Sequence, residues 1–249
     1  MRIVIVRHGD PDYAKDSLTP RGWKEAEALS DRLASMKVDE WYCSPLGRAQ
    51  DTASCTMKKL GREPIIKDWL RECTHPVQKP RQVRGEIDDH IAWDWLPKDW
   101  ADRKAFHDNE LWAEEPELSV FDLASYYENV SRNLDELLST YGYRREGNLY
   151  RTEDGNTRTI VFFCHFGLEC MLLGHLLNIS PMDLWHGFVA APTSVTILHT
   201  EEREKGYAYW RTACFGDVSH LYAKGIEPSF AARFAEVYDS SDPTCYHGK

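Results

Sequence analysis

The sequence predicts an α/β fold, a three-layer doubly wound and mainly parallel sheet with helices on both faces. Two observations carry this. Apolar runs at residues 2–6 and 158–164 lack the polar alternation of a half-exposed strand, so both faces of each must be covered, as in a parallel sheet. The segments between them carry apolar residues every three to four positions, and alternation of strand with helix marks a sheet held between helical layers. Composition agrees: 42% hydrophobic and 28% charged over 249 residues excludes a disordered or fibrous chain.

Taken in order, residues 2–6 form the first strand, and the polar stretch 7–17 a loop. Thr19 is placed to cap a helix with Pro20 at its first position, and Ala26, Leu29 and Leu33 share one face. Residues 36–43 predict a second strand. Ser44 and Pro45 open a helix that runs to Gly61, and residues 64–69 a third strand. Residues 74–119 hold four tryptophans (Trp93, Trp95, Trp100, Trp112) and no clean period, which predicts a cap-like insertion of loops and short helices. The helix expected at 120–141 carries Leu123, Tyr126, Tyr127, Val130, Leu134, Leu137 and Leu138 on one face. The turn-forming residues 153–156 predict a hairpin between 148–152 and 158–164. A helix at 167–177 and two antiparallel strands at 193–200 and 207–214 complete a single domain spanning 1–249.

A net charge of -10 argues against a general binder of nucleic acid or membrane surfaces, while leaving room for a local positive pocket. No apolar run approaches 18 residues, and the first nine residues are too short for a signal peptide. The 7 cysteines contain no CxxC pair and read as free thiols of a reducing cytoplasm.

In a parallel sheet the ligand sits beyond the carboxyl ends of the strands. There the sequence places Arg7 and His8, Ser44 with Arg48, and His165. Arginine forks match phosphate oxygens, and two of them can offset charge on a transferring phosphoryl group. A neutral imidazole is a competent nucleophile, and a second one, if protonated, adds a donor. Such a site needs no acidic metal cluster, so no metal and no cofactor are expected. A general acid must serve the leaving group; Glu72 is the first candidate, Glu169 the second and Asp10 the third. The remaining histidines read as structural, with His220 intermediate. Lys79, Arg81 and Arg84 form a basic cluster that reads as solvated loop.

These motifs together, RHG at 7–9, LTPRG at 18–22, SPLGRAQDTA at 44–53, LRE at 70–72 and CHFG at 164–167, resemble the histidine phosphatase superfamily, the phosphoglycerate-mutase-like clan. GDVSHL at 216–221 resembles its C-terminal segment. The resemblance implies that His8 is phosphorylated, that Arg7, Arg48 and His165 bind the phosphoryl group, and that Glu72 donates the proton. Pro11 and Ala14 stand where the clan's mutases commonly have Ser or Thr and Asn, and only residues 10–17 separate RHG from LTPRG. Both departures favour a phosphatase acting on a small phosphomonoester. The alternatives are a phosphoglycerate-mutase-type transfer and a catalytically weak phospho-ligand-binding module. The expected partner is a small phosphorylated substrate, with no nucleic acid and no membrane; a homodimer is left open.

Overall fold

The structure, a computed structural model, describes residues 1–74, 92–93, 95–119, 122–231 and 233. Its strands are β1 (Arg2–Arg7), β2 (Pro11–Asp12), β3 (Ser17–Leu18), β4 (Glu40–Cys43), β5 (Ile65–Ile66), β6 (Arg144–Glu146), β7 (Leu149–Arg151), β8 (Thr159–Cys164), β9 (Val195–Glu204) and β10 (Tyr207–Asp217). Its helices are α1 (Pro20–Ala34), α2 (Gly47–Leu60), α3 (Pro97–Trp100), α4 (Pro116–Ser119), α5 (Leu123–Thr140), α6 (Phe166–Leu177), α7 (Pro181–Gly187) and α8 (Ser219–Tyr222).

Eight strands form one mixed sheet in the order β5-β4-β8-β1-β9-β10-β7-β6. The first four run parallel, and β9 onward are antiparallel. Alternate residues of each central strand feed opposite layers. Val4, Val6, Trp41, Cys43, Val161 and Phe163 pack with α1 and α2. Ile3, Ile5, Tyr42, Ile160, Phe162 and Cys164 pack with α5, α6 and α7. Ile3, Val4, Ile5 and Val6 are fully buried, which contributes about 1.5–3 kcal/mol apiece. This double coverage is why β1 has no polar alternation.

The cap expected of Thr19 is present: its hydroxyl accepts from Gly22 N at 3.0 Å, with Pro20 in the first turn. The α2 helix differs from expectation. It starts at Gly47, its N-cap Leu46 has no side-chain cap, and Ser44 lies outside it; it ends at Gly61 in the left-handed region. The second strand is confined to Glu40–Cys43, and the third to Ile65–Ile66, where β5 gives way to a 3-10 turn at Asp68–Leu70. The hairpin predicted around 153–156 does not form. β8 inserts between β1 and β4, whereas β7 pairs with β6 and β10. The tight reversals are instead at Gly147 (φ +60°) and Gly206 (φ +91°), between β6 and β7 and between β9 and β10.

The described part of segment 74–119 consists of short helices and 3-10 turns, as expected. Trp112, 1% exposed, sits edge-on to Tyr127 of α5 (5.2 Å) and Trp185 of α7 (5.3 Å), and such pairs add about 0.5–1.5 kcal/mol beyond burial. The basic cluster Lys79, Arg81 and Arg84 lies outside the described residues. Among the described residues no helix is long and apolar enough to cross a membrane.

Candidate active site

The register Arg7↔Cys164 and Cys43↔Phe163 brings the ends of β1, β4 and β8 to one edge. The structure therefore gathers Arg7, His8, Ser44, Arg48 and His165 as the sequence predicted, and adds Asp16 and Trp93. The two imidazole centroids are 5.2 Å apart.

His8 is 2% exposed, and its Nδ1 is 2.7 Å from the carbonyl oxygen of Gly9. A carbonyl only accepts, so Nδ1 carries the proton and Nε2 keeps its lone pair. Burial, then the charge of Arg7 and, to a smaller degree, Arg48, holds the ring well below its ordinary pKa against the pull of the Gly9 carbonyl. His8 is neutral at pH 7, and its free nitrogen is basic and nucleophilic. Its backbone is pinned by His8 N to Cys164 O (3.0 Å) and Thr193 N to His8 O (3.1 Å). His220 reaches the site only through the Thr193 hydroxyl, at 3.2 Å.

Arg7 alternates with Ile3 and Ile5, so it faces the α6 layer, while Arg48 comes from α2 on the other face. The clamp closes from two sides of the sheet. Arg7 donates to Ala190 O at 2.5 Å. Arg48 donates to Asp16 Oδ1 at 2.7 Å. The Nε of each guanidinium is buried without a partner among the described residues.

His165 is fully buried. Its Nε2 is 2.8 Å from Ser44 Oγ, which already accepts Leu46 N at 3.2 Å. With Ser44 as the donor to Nε2, the ring proton stands on Nδ1, which has no described partner. Burial first, then His8 and the two arginines, hold this ring well below its ordinary pKa. His165 thus offers a neutral N–H, rather than the cation considered from sequence.

Glu72 accepts from Cys73 N (2.9 Å), Leu168 N (2.9 Å) and Gly167 N (3.3 Å). Two of these are the first turn of α6, whose N-cap His165 has no side-chain cap. Burial raises the Glu72 carboxyl above the usual range, although those N–H groups and Arg7 oppose the rise. Asp16 plays the matching part for α2: its Oδ2 accepts Gly47 N at 2.7 Å. Burial works against its charge, but Gly47 and Arg48 outweigh that and hold it below the carboxylate range. Both site-bearing helices therefore begin on an acid supplied from elsewhere in the chain, where the helix dipole favours an anion.

The other acid candidates are placed differently. Asp10 is consumed by Thr19 (2.7 Å) and Ser229 (2.5 Å). Glu169 is 1% exposed and lies in the first turn of α6. Trp93, half-buried, lies against Gly167, where an added Cβ would collide with its ring and come within 2.7 Å of Glu72 Oε1. Asp16 was not foreseen from sequence; a residue outside glycine at positive φ (+47°) leaves no local signature there. Neither the Ser44 partnership nor the place of Trp93 is encoded locally.

The histidine phosphatase superfamily (branch 1) family model matches residues 3–212. The chain belongs to that superfamily. As a histidine phosphatase superfamily member it is 26% identical over 220 residues to "Phosphoserine phosphatase 1" of Hydrogenobacter thermophilus, covering 82% of this chain and 88% of that one. It is 24% identical over 196 residues to "Adenosylcobalamin/alpha-ribazole phosphatase" of Escherichia coli, covering 75% and 84%. Other curated relatives match over about half their own length. Among solved structures, a phosphoserine phosphatase mutant from Entamoeba histolytica in complex with phosphoserine shares the fold with TM-score 0.60 at 18% identity, over 88% of this chain and 98% of that one.

Proposed function

We propose that this protein is a metal-independent phosphatase that hydrolyses a small phosphomonoester through a phosphohistidine on His8. The observation that carries it is the His8 Nδ1–Gly9 carbonyl bond, which leaves the Nε2 lone pair of a neutral imidazole free in the field of Arg7 and Arg48. In the first step His8 Nε2 attacks phosphorus and forms an N–P bond. The ester P–O bond breaks, and the leaving oxygen takes the proton of Glu72. Arg7, Arg48 and the Nδ1–H of His165 hold the phosphoryl oxygens as charge develops on them. In the second step water attacks phospho-His8. Glu72 accepts its proton, the N–P bond breaks, and inorganic phosphate leaves.

The phosphatase names of the relatives, and the phosphoserine complex among the structural neighbours, support a small phosphorylated substrate. The side-chain cations supply the charge that a divalent ion supplies elsewhere, so a chelator leaves the rate unchanged. The half-buried Trp93 beside Glu72 fits segment 74–119 acting as a cap over the leaving group within one domain.

The test is trapping. Brief reaction with a labelled aryl phosphate, quenched in alkali, leaves acid-labile label on the wild type and none on His8→Ala. Turnover retained by His8→Ala would falsify the nucleophile assignment.

A further inference from the structure

Glu169 is a buried carboxylate that the mechanism above does not use. It sits one turn into α6, and its N–H donates to His165 O at 2.9 Å. Neither of its carboxylate oxygens has a hydrogen-bond partner among the described residues. The α6 helix covers the sheet face that presents Ile5 and Arg7 from β1, and Thr196 beside Ile5 from β9. The groups that act on Glu169 come from each of these elements. Arg7 and the Thr196 hydroxyl favour its charge, and Glu72 opposes it. The thiols of Cys164 on β8 and Cys170 on α6 stay neutral, lifted well above their ordinary values by burial. Burial dominates, and lifts the Glu169 carboxyl to about 7.

A leucine would fill this place without the cost of burying a carboxylate that no hydrogen bond of ordinary length satisfies. Arg7, whose charge acts on it, is the same guanidinium that holds the substrate's oxygens in the proposed mechanism, and its Nε likewise has no partner among the described residues.

We propose that Glu169 is a positioning residue that couples anion binding in the phosphoryl pocket to uptake of one proton. Ionised, its charge competes with the incoming oxyanion for Arg7 and weakens binding. An oxyanion on Arg7 drives a proton from solvent onto Glu169, so the site gains one negative charge fewer than the ligand brings. This coupling rests on the pocket being the phosphoryl site.

Sulfate is the probe, because it does not titrate across the working range, unlike phosphate. Its inhibition constant against an aryl phosphate is measured from pH 6 to pH 8, with calorimetry in two buffers of different ionisation enthalpy. Wild type should bind sulfate about tenfold more weakly at pH 8 than at pH 6, the size expected for one unit charge acting within a partly screened site. By linkage it should also take up about half a proton on average across that range. E169Q should be flat and take up none. E169L should match E169Q, and it should melt higher than wild type at pH 8, which certifies its fold. A flat wild type, or a slope that survives in E169Q but vanishes in E72Q, overturns the role of Glu169. Sulfate that fails to compete with substrate overturns the pocket reading, and the coupling with it. Competition without a pH slope sinks the coupling alone.

Discussion

The hydroxyl of Ser44 and Nε2 of His165, 121 residues apart in sequence, meet at 2.8 Å. Adjacent parallel strands end there together, since Ser44 N also donates to Phe163 O at 2.9 Å. The serine thereby occupies Nε2 of His165 and leaves Nδ1 as the nitrogen open to the phosphoryl group of the proposed mechanism.

Removing that hydroxyl should cost rate more than affinity. Ser44→Ala is expected to lower kcat about tenfold with KM nearly unchanged, the scale of one buried hydrogen bond whose partner is left unsatisfied. Ser44→Thr should recover part of the loss. Steady-state kinetics on an aryl phosphate checks both; a change confined to KM would contradict the orienting role.

Asp16 should matter to phosphate affinity more than to folding. Its side chain is 43% exposed, which limits the worth of its ion pair with Arg48. Asp16→Asn keeps an acceptor for Gly47 N and tolerates the positive φ. It is expected to raise KM and the inhibition constant of phosphate about threefold, with the melting temperature little changed. Equilibrium binding of phosphate, measured beside a thermal melt, separates the two effects.

The pH profile follows from two opposed shifts. His8 acts as the neutral ring; its pKa in the fold is depressed, so the nucleophile survives to well below pH 6.5. In the proposed mechanism Glu72 acts first as the acid; its pKa in the fold is raised, so the useful proton is present below that value and lost as pH climbs through it. For an alkyl phosphate, kcat at saturating substrate should peak on the acidic side and fall toward alkaline pH. Glu72→Gln should lower the rate by about two to four orders of magnitude and abolish the decline. An aryl phosphate, with its better leaving group, should show a shallower version of both effects.

Gly167 is where a methyl group cannot go. Gly167→Ala would press on the Trp93 ring and on Glu72 Oε1 together. A loss of about 1–3 kcal/mol in stability is expected from such overpacking, with a fall in kcat as the acid is displaced. Trp93→Ala in the same chain should recover stability but not the full rate, and a double-mutant cycle read in both quantities tests that.

Much of this was legible where local chemistry and fold agree. The unrelieved apolar run at Ile3–Val6 means a doubly covered strand whatever its neighbours, and Thr19-Pro20 caps a helix by short-range rules. The gathering of Arg7, His8, Arg48 and His165 at one sheet edge was legible because each ends or follows a strand. What failed was pairing. Residues 153–156 have turn chemistry, yet the strands they join go to different places in the sheet, because β8 gains more between β1 and β4 than beside β7. Ser44 resembled a cap because a serine before a proline usually is one; its partner lies across the sheet. Asp16 and Glu72 cap helices from a distance, and spacing along the chain carries no trace of that.

Arg7 Nε, Arg48 Nε and His165 Nδ1 are buried donors with no described partner. Each costs the fold about 1–3 kcal/mol. An oxyanion that satisfies them binds the native chain and not the unfolded one, so by mass action it protects the protein: about 2.7 kcal/mol at a hundredfold excess over its Kd. The concentration of inorganic phosphate would then set the chain's resistance to heat and proteolysis as well as its turnover. Product inhibition and thermal protection are one free energy observed in two ways.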